Sequence, residues 1–153
     1  MKSLLLFLCA GLVVAARAQS PDTKKLVESQ NFVFKAQTAM PLSGRVRNLT
    51  SDYDLKISKE AVVSYLPYYG QAYVAPMDPS KNGLDFTSKD FNYTVTTGKK
   101  EGWTVTIKPK DYKDVQQMTL TISSAGYATL QVISTNRQAI SFNGIIVAPQ
   151  KKN

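Results

Sequence analysis

Asp52 and Asp54 stand two residues apart at the start of an alternating apolar stretch, so a strand there sets both carboxylates on one face. Two carboxyls facing one groove, one with its pKa raised by burial, are what glycoside hydrolysis requires. Asp85 and Asp90 are further candidates for such a pair. Thr50 and Ser51 precede Asp52, and in a turn of that composition aspartates commonly bind backbone amides instead. Asp78-Pro79-Ser80-Lys81-Asn82-Gly83 places oxygen ligands at loop positions one, three and five, with glycine at six, as a calcium loop does. Asp78, Ser80 and Asn82 are its candidate ligands. The pattern then fails, because Lys89 occupies the place of the bidentate glutamate, and the same residues suit an ordinary turn.

The third constellation is aromatic. SYLPYYGQAYVAP, from Ser64 to Pro76, contains Tyr65, Tyr68, Tyr69 and Tyr73, four of the chain's eight tyrosines. Flat rings with hydroxyls at their tips suit a sugar or another small ligand at the rim of a sheet. The competing reading is that Tyr65 and one neighbour close the end of the core, with their hydroxyls in water. Pro67 removes a ladder donor, so a regular strand should end there and the chain should turn at Tyr68-Tyr69-Gly70.

Much other chemistry is excluded by composition. The chain has no histidine, and its one cysteine, Cys9, lies in a leader. Lys2 begins that leader, Leu4 to Ala16 is almost wholly apolar, and Ala16-Arg17-Ala18 is a small-x-small cleavage site. The expected processing is removal of a signal peptide, residues 1–18, leaving one domain over 19–153. Phe7 and Leu8 are poor neighbours for lipid attachment at Cys9. The mature chain then lacks a thiolate, a histidine base and most transition-metal ligands, so zinc sites and Ser-His-Asp arrangements are out. No phosphate-cradling glycine loop occurs, and no cofactor is expected. Loss of Lys2 and Arg17 leaves 17 basic against 11 acidic residues, a net +6. The basic residues are scattered in pairs, a solvated surface and not a nucleic-acid stripe. Asn48-Leu49-Thr50 and Asn92-Tyr93-Thr94 match a glycosylation sequon that has no meaning in a bacterial source.

The elements that must carry these residues read clearly. Ser20-Pro21-Asp22 starts a short helix over 21–30. From Asn31 onward the period is two. Trp103, Val105 and Ile107 alternate with threonines, as do Met118, Leu120 and Ile122, which also places Trp103 in the core. One apolar and one threonine-rich face predict antiparallel strands lying on a core. Expected strands are 31–39, 52–58, 61–67, 83–88, 90–97, 102–109, 115–123, 127–134 and 138–147. Their connections are too short for parallel crossovers. The fold class is therefore mainly β, an antiparallel meander of eight or nine strands curled into a barrel or folded into a sandwich.

NFVFKAQTAMP, NLTSDYDLKIS, VVSYLPYYGQAYVAP and NRQAISFNGIIV occur in that order. With them the chain resembles an exported family of Bacteroidetes known as domain of unknown function 4251, over about residues 22–148. The resemblance implies a Gram-negative periplasmic or outer-membrane-associated setting. It supplies no catalytic residues. Family members often look like lipoproteins, which Cys9 does not match. Three functions are expected in order: a non-enzymatic domain binding a small molecule, glycan or envelope partner; an envelope glycan hydrolase using paired carboxylates; and an assembly protein pairing through an edge strand such as 31–39 or 138–147.

Overall fold

A computed structural model describes residues 23–74, 83–98 and 100–151. The leader with Cys9, the helix start at Ser20 to Asp22 and the calcium-loop candidates Asp78, Ser80 and Asn82 lie outside the described residues.

Among the described residues one helix and ten strands follow one another: α1 (Thr23–Glu28), β1 (Phe32–Pro41), β2 (Arg47–Asn48), β3 (Asp54–Ile57), β4 (Val62–Leu66), β5 (Leu84–Ser88), β6 (Phe91–Thr97), β7 (Trp103–Pro109), β8 (Val115–Ile122), β9 (Tyr127–Ser134) and β10 (Ile140–Val147). Nine of the strands form a single antiparallel sheet in the order β5-β4-β3-β1-β10-β9-β8-β7-β6, and the two-residue β2 pairs with β1. The sheet curls into a nearly closed barrel, which decides between the two architectures left open by the sequence. Because β1 lies between β3 and β10, and β10 between β1 and β9, neither segment expected to offer an edge does so. The ends of the order are β5 and β6.

Those two ends are joined by only two residues, Lys89 and Asp90. An odd number of antiparallel strands places the first and last in the same direction, so β5 and β6 run parallel. They are the two halves of one bent stretch, the first half bonded to β4 and the second to β7. The bend takes the amides of Lys89 and Asp90 out of the ladder. Asp111, in the β7–β8 connection, accepts both, at 2.8 Å and 3.2 Å on Oδ2. Amides that leave a ladder need another acceptor, and at this exposed bend Asp111 provides it in place of water.

Alternation explains the core. Val105 and Ile107 on β7, Leu120 and Ile122 on β8, Leu130 and Val132 on β9, and Phe142 and Ile146 on β10 all point inward and are buried. Phe32 and Phe34 on β1 complete a packed interior. Among the apolar residues Val33 is the exception, facing outward yet 7% exposed. It pairs with Val147, and Ala148 and Pro149 line the same groove beside it. Helix α1 closes one end of the barrel. Val27 is fully buried there, Tyr93 Oη donates to Val27 O at 3.3 Å, and Gln30 Nε2 donates to Ser58 O at 3.4 Å. Gln30 ends the helix in the left-handed region at φ 51°.

Candidate functional site

The four tyrosines of the opening constellation do not form one platform. Tyr65 faces outward on β4, half exposed, with its ring 5.4 Å from that of Tyr53. Tyr68 turns back over the end of the core, and its one hydroxyl hydrogen is shared between Gln71 O at 2.9 Å and Gln138 O at 3.0 Å. Burial raises the Tyr68 pKa, and the guanidinium of Arg137, 5.0 Å from its ring centre, pulls it partly back. Tyr69 packs against the core edge beneath Arg47, 4.8 Å from the ring centre. Tyr73 is exposed, and its amide donates to Asn136 O at 2.7 Å. Two of the four therefore close the barrel end and two stand in water.

The carboxylates disperse. Asp54 is buried on the outer face of β3, 3.3 Å from Lys35 Nζ and 4.0 Å from Lys56 Nζ. Asp85 lies in the same cross-strand row, with Tyr65 standing between the two. Asp52 is exposed in the loop before β3, and Asp90 sits at the bend, 3.5 Å from Lys110. Among the described residues, no group of three or more acids and other ligands could hold a metal ion.

What the sequence does not reveal is how the threonines align. Outward residues of successive strands fall into register as Thr96, Thr104, Thr121, Thr129, Asn143 and Thr38. A second row, Thr94, Thr106, Thr119, Gln131 and Ser141, runs beside it. Neighbouring members of a row are about 5 Å apart, the strand spacing. The first row opens into a groove of about 750 Å³ over β7 to β10. Trp103 and Tyr127 supply its rings, Lys100 its charge, and Gln37, Asn143 and the threonines its hydroxyls and amides.

Local features create this groove. Gln37 is the extra residue of a bulge in β1, where the register with β10 shifts between Ala36 and Thr38. Trp103 ends the inward row at the mouth of the barrel, so it packs on the core and also reaches the groove. Tyr127, the first residue of β9 after the β8–β9 turn, is 67% exposed. Thr129 Oγ1 donates to Asn143 Oδ1 at 2.8 Å and orients that amide. Among the described residues the hydroxyls of Thr104, Thr121 and Tyr127 have no side-chain partner, so they are free for a ligand. No carboxylate lines the groove. A second groove, about 520 Å³, runs between β1, β3, β4 and Val147 to Gln150, with Asp54 its one acid. None of the four tyrosines lines either groove.

The family model described as a domain of unknown function, DUF4251, matches residues 15–146. A crystal structure of a DUF4251 family protein from Bacteroides eggerthii DSM 20697 is similar in fold, with a TM-score of 0.61 and 16% identity. The likeness covers 83% of this chain and 85% of that one. No curated protein matches the chain.

Proposed function

Because the chain belongs to the DUF4251 family, which has a fold but no assigned chemistry, we propose from the groove itself that this protein binds a carbohydrate across the threonine row of β7 to β10. The observation that carries the reading is the combination of two ring side chains with unpartnered hydroxyls in one groove. Sugars present alternating apolar faces and hydroxyl edges, and such a lining answers both. Lys100 favours a sugar bearing an acid group. A lining without carboxylates suits binding better than glycosidic cleavage, which needs two.

The leader, with its apolar run and Ala16-Arg17-Ala18 site, supports export to the periplasm, where envelope glycans are the available ligands. No helix among the described residues is long and apolar enough to cross a membrane. The barrel itself is apolar inside and hydroxyl-rich outside, the reverse of the pattern that faces lipid.

The test uses Trp103, the chain's one tryptophan, as the reporter. Titration with neutral and uronic-acid-containing oligosaccharides should give a saturable change in its fluorescence. Tyr127→Ala should weaken binding about tenfold, the worth of one ring stacked on a ligand. Saturation by no sugar in the panel, or binding at wild-type strength by both Tyr127→Ala and Asn143→Ala, would overturn the reading.

A further inference from the structure

At the barrel end opposite α1, three loops are laced side by side. Ser43 Oγ donates to Gln138 Oε1 at 3.0 Å, the amide of Gln138 donates to Gln71 O at 3.1 Å, and Ala72 bridges Arg137. These contacts bring the β1–β2 loop, the segment after β4 and the β9–β10 connection into one surface. Its side chains are unusual for a water-facing end. Leu42 is 72% exposed, Val46 63%, Tyr73 68% and Val74 60%. Residues 41–50, 67–74 and 135–139 include Arg45, Arg47 and Arg137 and no aspartate or glutamate; the acids at this end, Asp111 and Asp114, lie in the β7–β8 connection, which Thr135 holds through Lys113 O and Asp114 O.

We propose that this end docks on an anionic phospholipid surface, with Leu42, Val46 and Tyr73 entering the headgroup layer and Arg45 and Arg47 meeting the phosphates. The pairing of exposed apolar tips with nearby cations is what an interfacial site requires. Arg137 is turned inward, donating from Nη1 to Gly83 O at 3.2 Å, and serves the corner and not the surface. Arg45 and Arg47 take part in no ion pair among the described residues; Arg47 rests on the Tyr69 ring, which leaves its charge uncompensated. Tyrosine at such a level lies with its ring among the headgroups and its hydroxyl in water. The tips project from loops and line neither groove, which favours a deformable planar partner over a peptide or sugar. Because the threonine groove lies towards the other end, beside the β6–β7 and β8–β9 turns, docking this way leaves it open to ligand.

The experiment is flotation of the mature protein with vesicles of phosphatidylcholine alone or mixed with phosphatidylglycerol. Binding is expected only with phosphatidylglycerol, and it should fall as salt rises. Arg45→Glu should weaken it about tenfold, since the change removes a cation from the anionic leaflet and puts an anion in its place. Leu42→Ser with Val46→Ser should weaken it at equal net charge. Lys59→Glu, in the β3–β4 turn at the other end, should leave this docking near wild-type strength. These side chains are exposed, so circular dichroism should be unchanged in each variant. Failure to float with either vesicle, binding that survives the Leu42 and Val46 changes, or an equal loss with Lys59→Glu would overturn the proposal. None of these outcomes bears on the sugar groove, whose variants are tested in solution.

Discussion

The hydroxyl of Ser88 donates to Asp111 Oδ1 at 2.5 Å, across 23 residues of sequence. That bond joins the last residue of β5 to the β7–β8 connection, at the one place where the two ends of the sheet are covalently continuous. The two ends of the sheet are thus tied twice over at this corner, by Lys89 and Asp90 and by a carboxylate that takes up the freed donors of the bend.

Asp111→Asn tests that closure. The Ser88 hydroxyl first, and then the Lys89 amide, hold the Asp111 pKa below the ordinary carboxylate value. A depressed folded-state pKa means that the stabilisation is complete above the unfolded value of about 4 and is lost as pH falls through the folded one. The variant should melt below wild type at pH 7. The gap should narrow in acid, as pH falls through the depressed pKa of Asp111 and the native carboxyl loses its charge as well. Calorimetry at pH 7 and along an acid series checks this, and a gap that stays constant would assign the loss to packing alone.

Gly144→Ala should damage the barrel from within. A Cβ at Gly144 would lie 1.9 Å from the carbonyl oxygen of Lys35 and 3.1 Å from the ring of Phe34. The first of these is backbone of the paired strand β1, one residue before Ala36, where the bulge begins. No rotamer change relieves such a contact, so β1 and β10 must separate. The expected cost is about 3 kcal/mol, the upper end for overpacking, read as a shift in the urea midpoint with little change in slope. Asn143→Ala, at the neighbouring outward position, should cost under about 1 kcal/mol.

The strands were legible because the pattern that forms them is local. Val105 and Ile107 alternate with Thr104 and Thr106 whatever they pair with, and all nine expected strands occur within a few residues of their predicted bounds. Only the two-residue β2 was missed; Arg47 and Asn48 are exposed and carry no periodic signal. The site was far less legible. That Thr104, Thr121, Thr129 and Asn143 form a row depends on the register of three separate pairings, which a single strand's sequence does not encode. The tyrosines drew attention because they cluster in sequence, yet the fold separates Tyr65 from Tyr68 by turning the chain at Pro67.

Tyr93 predicts the alkaline limit. Its hydroxyl is held at Val27 O over the half-buried end of the barrel, and burial pushes its pKa up to about 12. The native state therefore keeps a proton that the unfolded chain releases near pH 10. Stability is whole below pH 10 and falls as pH rises towards 12. Tyr93→Phe should flatten that fall by on the order of 1 kcal/mol, discounted because the ring is partly in water. Stability curves between pH 8 and pH 11.5 that coincide for the two proteins would refute the assignment.

Tyr68→Phe separates the two uses of the ring within SYLPYYGQAYVAP. Phenylalanine preserves the packing against the core edge and the face beneath Arg137, but Gln138 O loses its donor. Gln71 O keeps the amide of Gln138. The net cost should be about 1 kcal/mol, one hydrogen bond at a partly wet site. It should appear locally, as faster hydrogen exchange at the Tyr73 and Gln138 amides, with the Leu130 and Phe142 amides unchanged. Tyr68→Ala removes the ring too, and with it the support for Arg137, whose bond to Gly83 O ties the start of β5 to the same corner. It should cost about 3 kcal/mol, the lower end for a truncated aromatic, and it should also speed exchange at Leu84. If Tyr68→Phe were as damaging as Tyr68→Ala, the hydroxyl and not the ring would be what holds the corner. If Tyr68→Phe left both amides at their wild-type rates, the shared hydrogen bond would contribute nothing.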